Sequence, residues 1–125
     1  MKITDIKTYI LQHELEQELG FSQAYFKTRT AHIVQVFTDE GISGLGEAFG
    51  SGNLAFANKA IIERVLKPLV IGEDPFEVEK IWHKMYNTTR DHGQKGMMLE
   101  SISGIDIALW DIAGKYFGVP CYQLL

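Results

Sequence analysis

The side chains that could do chemistry are few and scattered along the 125 residues. The four histidines, His13, His32, His83 and His92, show no His-x-x-x-His or comparable ligand spacing. Asp106 and Asp111 stand five apart and cannot chelate one ion from a single helix face, whereas Asp111 and Lys115, four apart, suit an ordinary helical ion pair. Cys121, the only cysteine, has apolar neighbours near the chain end and reads as a packing residue rather than a nucleophile. No P-loop, nucleophile elbow or paired-cysteine site appears. None of the familiar spacings for a metal, nucleotide or nucleophile site is present in the sequence. What it offers is binding chemistry. Residues 14–28 have no clean period and carry Phe21, Tyr25 and Phe26, aromatics that can fold an apolar face over a ligand or pack the segment onto its own domain. Glu47 is either a pocket acid or a carboxylate tying its loop down through backbone N–H groups, the second being favoured. Arg90, in the polar stretch 88–96, has a planar fork suited to a carboxylate; the alternative is a polar linker with Arg90 and Asp91 paired locally.

The elements that must position these residues follow from periodicity. Residues 3–11, 33–37 and 42–49 mix β-branched, aromatic and polar residues as strands do, and Thr38-Asp39-Glu40-Gly41 is a hairpin turn between the last two. Residues 14–28 then form a long irregular loop. From Leu54 the apolar spacing of Leu54, Ala57, Ile61, Ile62, Val65 and Leu66 gives one helix face, with Asn53 as N-cap and Pro68 as the stop. Asp74-Pro75 with Glu77 reads as the capped start of a second helix whose stripe is Val78, Ile81, Trp82, Met85 and Tyr86. A third helix runs from about Leu99 to Phe117 and stops at Gly118, with Pro120 two residues on. It is apolar around most of its circumference, so it demands cover on more sides than two other helices can supply. The order strand–strand–strand–helix–helix–helix predicts an α+β domain, a three-stranded antiparallel meander followed by a three- to four-helix bundle.

Composition removes several function classes. An apolar fraction of 46% and a charged fraction of 22% are those of an ordinary globular domain. A net charge of −4 argues against sequence-independent nucleic-acid binding, which needs a basic surface to displace phosphate counterions. No apolar run reaches bilayer length and no signal-peptide core opens the chain, so no membrane partner is expected. A lone cysteine forbids an intrachain disulfide and fits a cytoplasmic setting.

Three motifs then stand in order. Ser101-Ile102-Ser103-Gly104-Ile105-Asp106-Ile107-Ala108-Leu109-Trp110-Asp111-Ile112-Ala113-Gly114-Lys115, continuing to Pro120 and Gln123-Leu124-Leu125, closely resembles a signature of the mandelate racemase/muconate lactonizing family of the enolase superfamily. It departs at Ser101, where alanine is usual, and at Cys121, where an aliphatic residue is usual. Gly44-Leu45-Gly46-Glu47-Ala48 resembles the family's Gly-x-Gly-Glu strand, and Gly72-Glu73-Asp74-Pro75 its inter-helix connector.

The resemblance implies that residues 1–125 are an N-terminal capping domain over the mouth of a TIM-type barrel that this sequence does not contain. In such enzymes the barrel holds Mg²⁺ on three acidic ligands, and its lysine or histidine bases remove a proton α to a carboxylate. The resemblance makes residues 14–28 and 47–52 two mobile specificity loops, with Phe21, Tyr25, Phe26, Glu47 and Phe49 facing the substrate. Residues 88–96 resemble acid-sugar members, notably galactarolactone cycloisomerase-like enzymes, which adds Arg90 and His92. The implied partners are a small-molecule carboxylate (an acid sugar or lactone), the chain's own C-terminal barrel, and further copies in a homo-oligomer between dimer and octamer. The implied activity is that of an acid-sugar dehydratase or sugar-lactone cycloisomerase. A free-standing interaction or dimerisation module, using the exposed face of the last helix, is the alternative.

Overall fold

Strand alternation and one tight turn build the sheet. A computed structural model describes residues 1–125, with β1 at Ile3–Phe21, β2 at Ala24–Thr38 and β3 at Ser43–Ala48, antiparallel and ordered β1-β2-β3. Ile3, Ile6, Val34, Val36 and Ala48 are fully buried, so one sheet face forms half of the core. At the β2–β3 turn the Thr38 hydroxyl donates to the Ile42 carbonyl at 2.7 Å, and Gly41 adopts a φ of +80° that a side chain would resist.

The loop expected over residues 14–28 is a strand pair. β1 and β2 run on beyond the sheet as a two-stranded ribbon, closed by Ser22-Gln23 between the partners Phe21 and Ala24. Glu14 pairs with Thr28 and Leu19 with Phe26, so residues 15–18 stand opposite Lys27 alone, a bulge that bends the ribbon. Two features hide this strand pair in sequence: glutamate is a poor strand former, and the turn lacks the glycine or asparagine that usually marks one. Ser22 takes the left-handed conformation itself, at φ +50°.

The first helical rod also departs from expectation. It comprises α1 (Leu54–Ile61), a π-helical turn (Ile62–Leu66) and α2 (Lys67–Val70). Pro68 does not stop it. In the widened turn the Lys67 N–H bonds back five residues to the Ile62 carbonyl, and Pro68, which has no N–H to donate, falls in the first turn of the α-helix that resumes. The rod ends at Ile71, whose extended backbone leads into Gly72. Its buried face is Ala55, Asn58, Ile62, Leu66 and Val70, with Leu54 and Val65 largely exposed. Asn53 makes no side-chain cap. Asp74 does not cap a helix either: its carboxylate accepts the Phe76 N–H at 3.0 Å and its carbonyl the Glu77 N–H at 3.0 Å, a local Asx turn, and α3 (Val78–Thr89) begins after it.

The last helix, α4 (Met97–Phe117), ends at Gly118, which is left-handed at φ +67°. It lies directly on β3. A Cβ on Gly46 would collide with the Gly104 carbonyl and sit 2.9 Å from the Ala108 nitrogen; one on Gly44 would strike the Ala108 carbonyl. The two glycines thus let helix and strand backbones meet, and the Leu45 N–H between them donates to Asp111 Oδ2 at 2.7 Å. Lys115 locks the seam, 2.6 Å from Asp111 Oδ2 and 2.8 Å from the Ser43 carbonyl. Sheet and helices bury Ile102, Ile105, Ala108, Leu109 and Ile112. A third strip stays bare. Ile107 is 47% exposed, Leu45 48%, and Trp110 lines two adjoining apolar grooves with Phe76, Phe117, Cys121, Leu124 and Leu125.

Candidate functional site at the end of the sheet

The site arises because β2 outlasts β3. The last β2–β3 partners are His32 and Ala48, so residues 24–31 of β2 have β1 on one side and nothing on the other. The chain leaving β3 turns away through residues 49–52. Gly50 permits this turn, since a Cβ there would meet the Ala55 Cα at 2.8 Å. Buried Asn58 fixes the loop: its amide donates to the Phe49 carbonyl and, at 2.9 Å, to Glu100 Oε2. Between this anchored loop and the open edge of β2 lies a cleft of about 500 Å³.

Five of the side chains expected to face a substrate come together there: Phe21, Tyr25, Phe26, Glu47 and Phe49 all line the cleft. Phe21 and Phe26 meet at 6.3 Å between ring centroids, and Phe26 is half-buried. Tyr25 (74% exposed) and Phe49 (67%) project freely from the two walls. Glu47 is exposed and lines the cleft, while the loop is tied down by Asn58. The reading of Glu47 as a structural tether therefore gives way to that of a cleft acid. Arg90 and His92 do not reach the cleft; they occupy an exposed 3₁₀ turn at the end of α3.

Sequence reasoning missed Lys27, Thr28, Arg29 and Thr30, which also line the cleft. The signal was present as alternating cations and hydroxyls, but it is readable as such only once this segment is known to be a strand. Lys27 lies 3.8 Å from Glu18 Oε1, and Thr30 Oγ1 is 3.4 Å from Gln12 Nε2.

At the last β2–β3 pair, His32 is 1% exposed and neither ring nitrogen has a hydrogen-bond partner. Burial holds its imidazole below the ordinary histidine range; nearby Lys59 acts in the same direction and Glu63 against it. Across the domain, Asp106 lines a small hollow with Trp82, His83 and Trp110, and burial raises its carboxyl above the usual range. No group of three or more His, Cys, Asp or Glu converges to hold a metal ion, so the residues of this chain do not by themselves fit Mg²⁺. No helix is long and apolar enough to cross a membrane.

Residues 5–125 match the family described as mandelate racemase/muconate lactonizing enzyme, N-terminal domain. The chain belongs to this family. As a domain of that family it is similar to D-galactarolactone cycloisomerase of Agrobacterium fabrum, at 41% identity over all of this chain and 32% of that protein. It is also similar to arabinonate dehydratase of Saccharolobus solfataricus, at 38% identity over 98% of this chain and 34% of that one. Among solved structures, a member of the enolase superfamily from Polaromonas sp. JS666 superposes with a TM-score of 0.90 at 34% identity, covering 99% of this chain and 33% of the other. The chain thus spans about a third of the length of the proteins it resembles. The expected family and fold class both hold. In this N-terminal domain the Gly-x-Gly-Glu motif is the strand that admits α4, with its glutamate left over at the cleft.

Proposed function

We propose that this domain is the substrate-specificity cap of a Mg²⁺-dependent enzyme that abstracts a proton α to a carboxylate, acting on an acid sugar or sugar lactone as a dehydratase or cycloisomerase. The acid–base residues and the Mg²⁺ ligands belong to a barrel outside these residues, packed against the bare strip around Ile107 and Trp110. Apolar surface of this kind, contiguous with Leu124 and Leu125, supports a covering domain over a free-standing module. The observation that carries the reading is the cleft at the end of the ribbon, with an anchored loop on one side and an exposed aromatic edge on the other. Its aromatics exclude water and grip the end of the substrate remote from the chemistry, while Glu47 and the threonines meet sugar hydroxyls. A cytoplasmic setting and homo-oligomeric assembly, from dimer to octamer, complete the proposal.

The test uses the full-length enzyme with Mg²⁺ and a panel of acid sugars and lactones. Turnover abolished by EDTA, with the 125-residue domain inert by itself, is expected; turnover by the domain alone refutes it. Tyr25→Ala should raise KM or shift substrate preference while Mg²⁺ affinity stays unchanged. Loss of Mg²⁺ binding in that variant contradicts the cap role.

A further inference from the structure

Asp106, Trp110, Ala113 and Phe117 recur at helical spacing and form one row along α4, apolar except at its first position. Trp110 separates the groove toward Phe117 and Leu124 from a smaller hollow of about 240 Å³, walled by Val78, Glu79, Trp82, His83, Asp106 and Trp110. Asp106 is half-buried there, and burial is the sole influence raising its carboxyl. No lysine of either helix is free to pair with it. Lys80 lies 3.1 Å from Glu73 and 2.5 Å from Glu77, Lys84 2.6 Å from Glu73, and Lys115 2.6 Å from Asp111. Exposed Glu79 on the rim adds negative charge. Such a carboxylate is tolerable while water reaches it. Once a second domain lies over Trp110, as in the function proposed above, on which this inference rests for the cover alone, the group loses that water. It must then be paired or protonated. The walls suit pairing with a planar cation. Trp82, stacked on Tyr86 at 4.9 Å between ring centroids, and Trp110 offer indole surface beside the acid. A guanidinium lies flat on indole while its fork bonds a carboxylate.

We propose that the hollow between Trp82 and Trp110 receives a cationic side chain, an arginine by fit, from the polypeptide that follows Leu125, and that this side chain pairs with Asp106. The occupant belongs to the same chain because Leu124 and Leu125 already line the adjoining grooves, and the proteins this domain resembles run to about three times its length. Apolar surface is non-directional and lets two domains slide. A single charge pair set into it fixes the angle at which the domain sits on its neighbour, and so where the distant cleft is held.

The test is a crystal structure of the full-length protein followed by a double-mutant cycle read by scanning calorimetry. The structure should place a basic side chain from beyond Leu125 within about 4 Å of the Asp106 carboxylate. Asp106→Leu strands that cation and should lower Tm of the full-length protein by roughly 3 to 8 °C, whereas Glu79→Gln should stay within about 1 °C. Replacing the located base by methionine should cost a similar amount. Combining it with Asp106→Leu should recover at least half of the loss, because an apolar pair needs no counter-charge. A hollow filled by apolar side chains with Asp106 unpaired overturns the proposal, as does a Tm that rises in Asp106→Leu or a double variant no better than the singles. A second copy seated in the hollow overturns the partner named here. A hollow left open to solvent overturns the pair and removes the cover itself. Turnover with Mg²⁺ on the same samples judges the functional reading separately: a pair found without turnover leaves this inference standing and that reading refuted.

Discussion

Substituting Gly46 by alanine tests whether α4 and β3 are held in backbone contact. The added methyl would overlap the Gly104 carbonyl and lie 2.9 Å from the Ala108 nitrogen. Both obstacles are helix backbone, so no rotamer change relieves them, and α4 must retreat by on the order of 1 Å. A gap of that size forfeits a quarter to a half of each dispersion contact it opens. The contacts at stake belong to Ile105, Ala108, Leu109 and Ile112, all fully buried, and to the Leu45–Asp111 hydrogen bond. We expect a loss of about 3 kcal/mol, at the upper end of overpacking costs, and a fall in Tm of roughly 10 °C for a domain of this size. Gly118→Ala is the control. Gly118 has a φ of +67° with nothing within 4 Å of its would-be Cβ, so only conformational strain of about 1 kcal/mol applies. Thermal unfolding followed by far-UV circular dichroism reads both. If Gly46→Ala costs no more than Gly118→Ala, the close approach does not hold the domain together and the argument fails.

Two other measurements bear on the same architecture. His32 is held below its ordinary pKa of 6.5 by burial. Above pH 6.5 folded and unfolded chains both carry it neutral; as pH falls below that, the unfolded chain takes up a proton the folded one resists, so stability declines. His32→Leu should flatten this part of the pH profile of urea unfolding, and an unchanged slope would assign the decline elsewhere. Asp111→Ala removes the acceptor of the Leu45 N–H and should cost about 1–2 kcal/mol, with Asp111→Asn recovering part of it; equal costs for the two variants exclude the hydrogen bond as the cause.

The elements legible in the sequence were those whose signals come from burial. The stripe of Val78, Ile81 and Met85 fixed α3, and the long apolar run closed by Gly118 fixed α4 to within two residues of its start. The Asp111–Lys115 pair followed from helical spacing alone. What escaped lies where no core enforces a pattern. The ribbon beyond residue 11 buries almost nothing, so its alternation carries no contrast between a dry face and a wet one. Pro68 misled because a widened turn absorbs it, and nothing in the local sequence announces such a turn. The cleft was half legible. Its aromatics were found, since large apolar side chains in a polar segment stand out, but Arg29 was not, because its relation to them depends on where β3 stops. Arg90 and His92 have suitable chemistry at a place the fold does not bring to the cleft.

The ribbon and the loop facing it are built on different terms. The loop is bolted to the interior through Asn58, whereas the ribbon tip contributes nothing to the interior. Exchanges at Phe21, Tyr25, Lys27 or Arg29 are therefore nearly free of any folding penalty, while exchanges at Gly50 or Asn58 are not. One jaw of the cleft can be exchanged residue by residue while the other is fixed, so the lining of the cleft can be altered without renegotiating how the polypeptide folds.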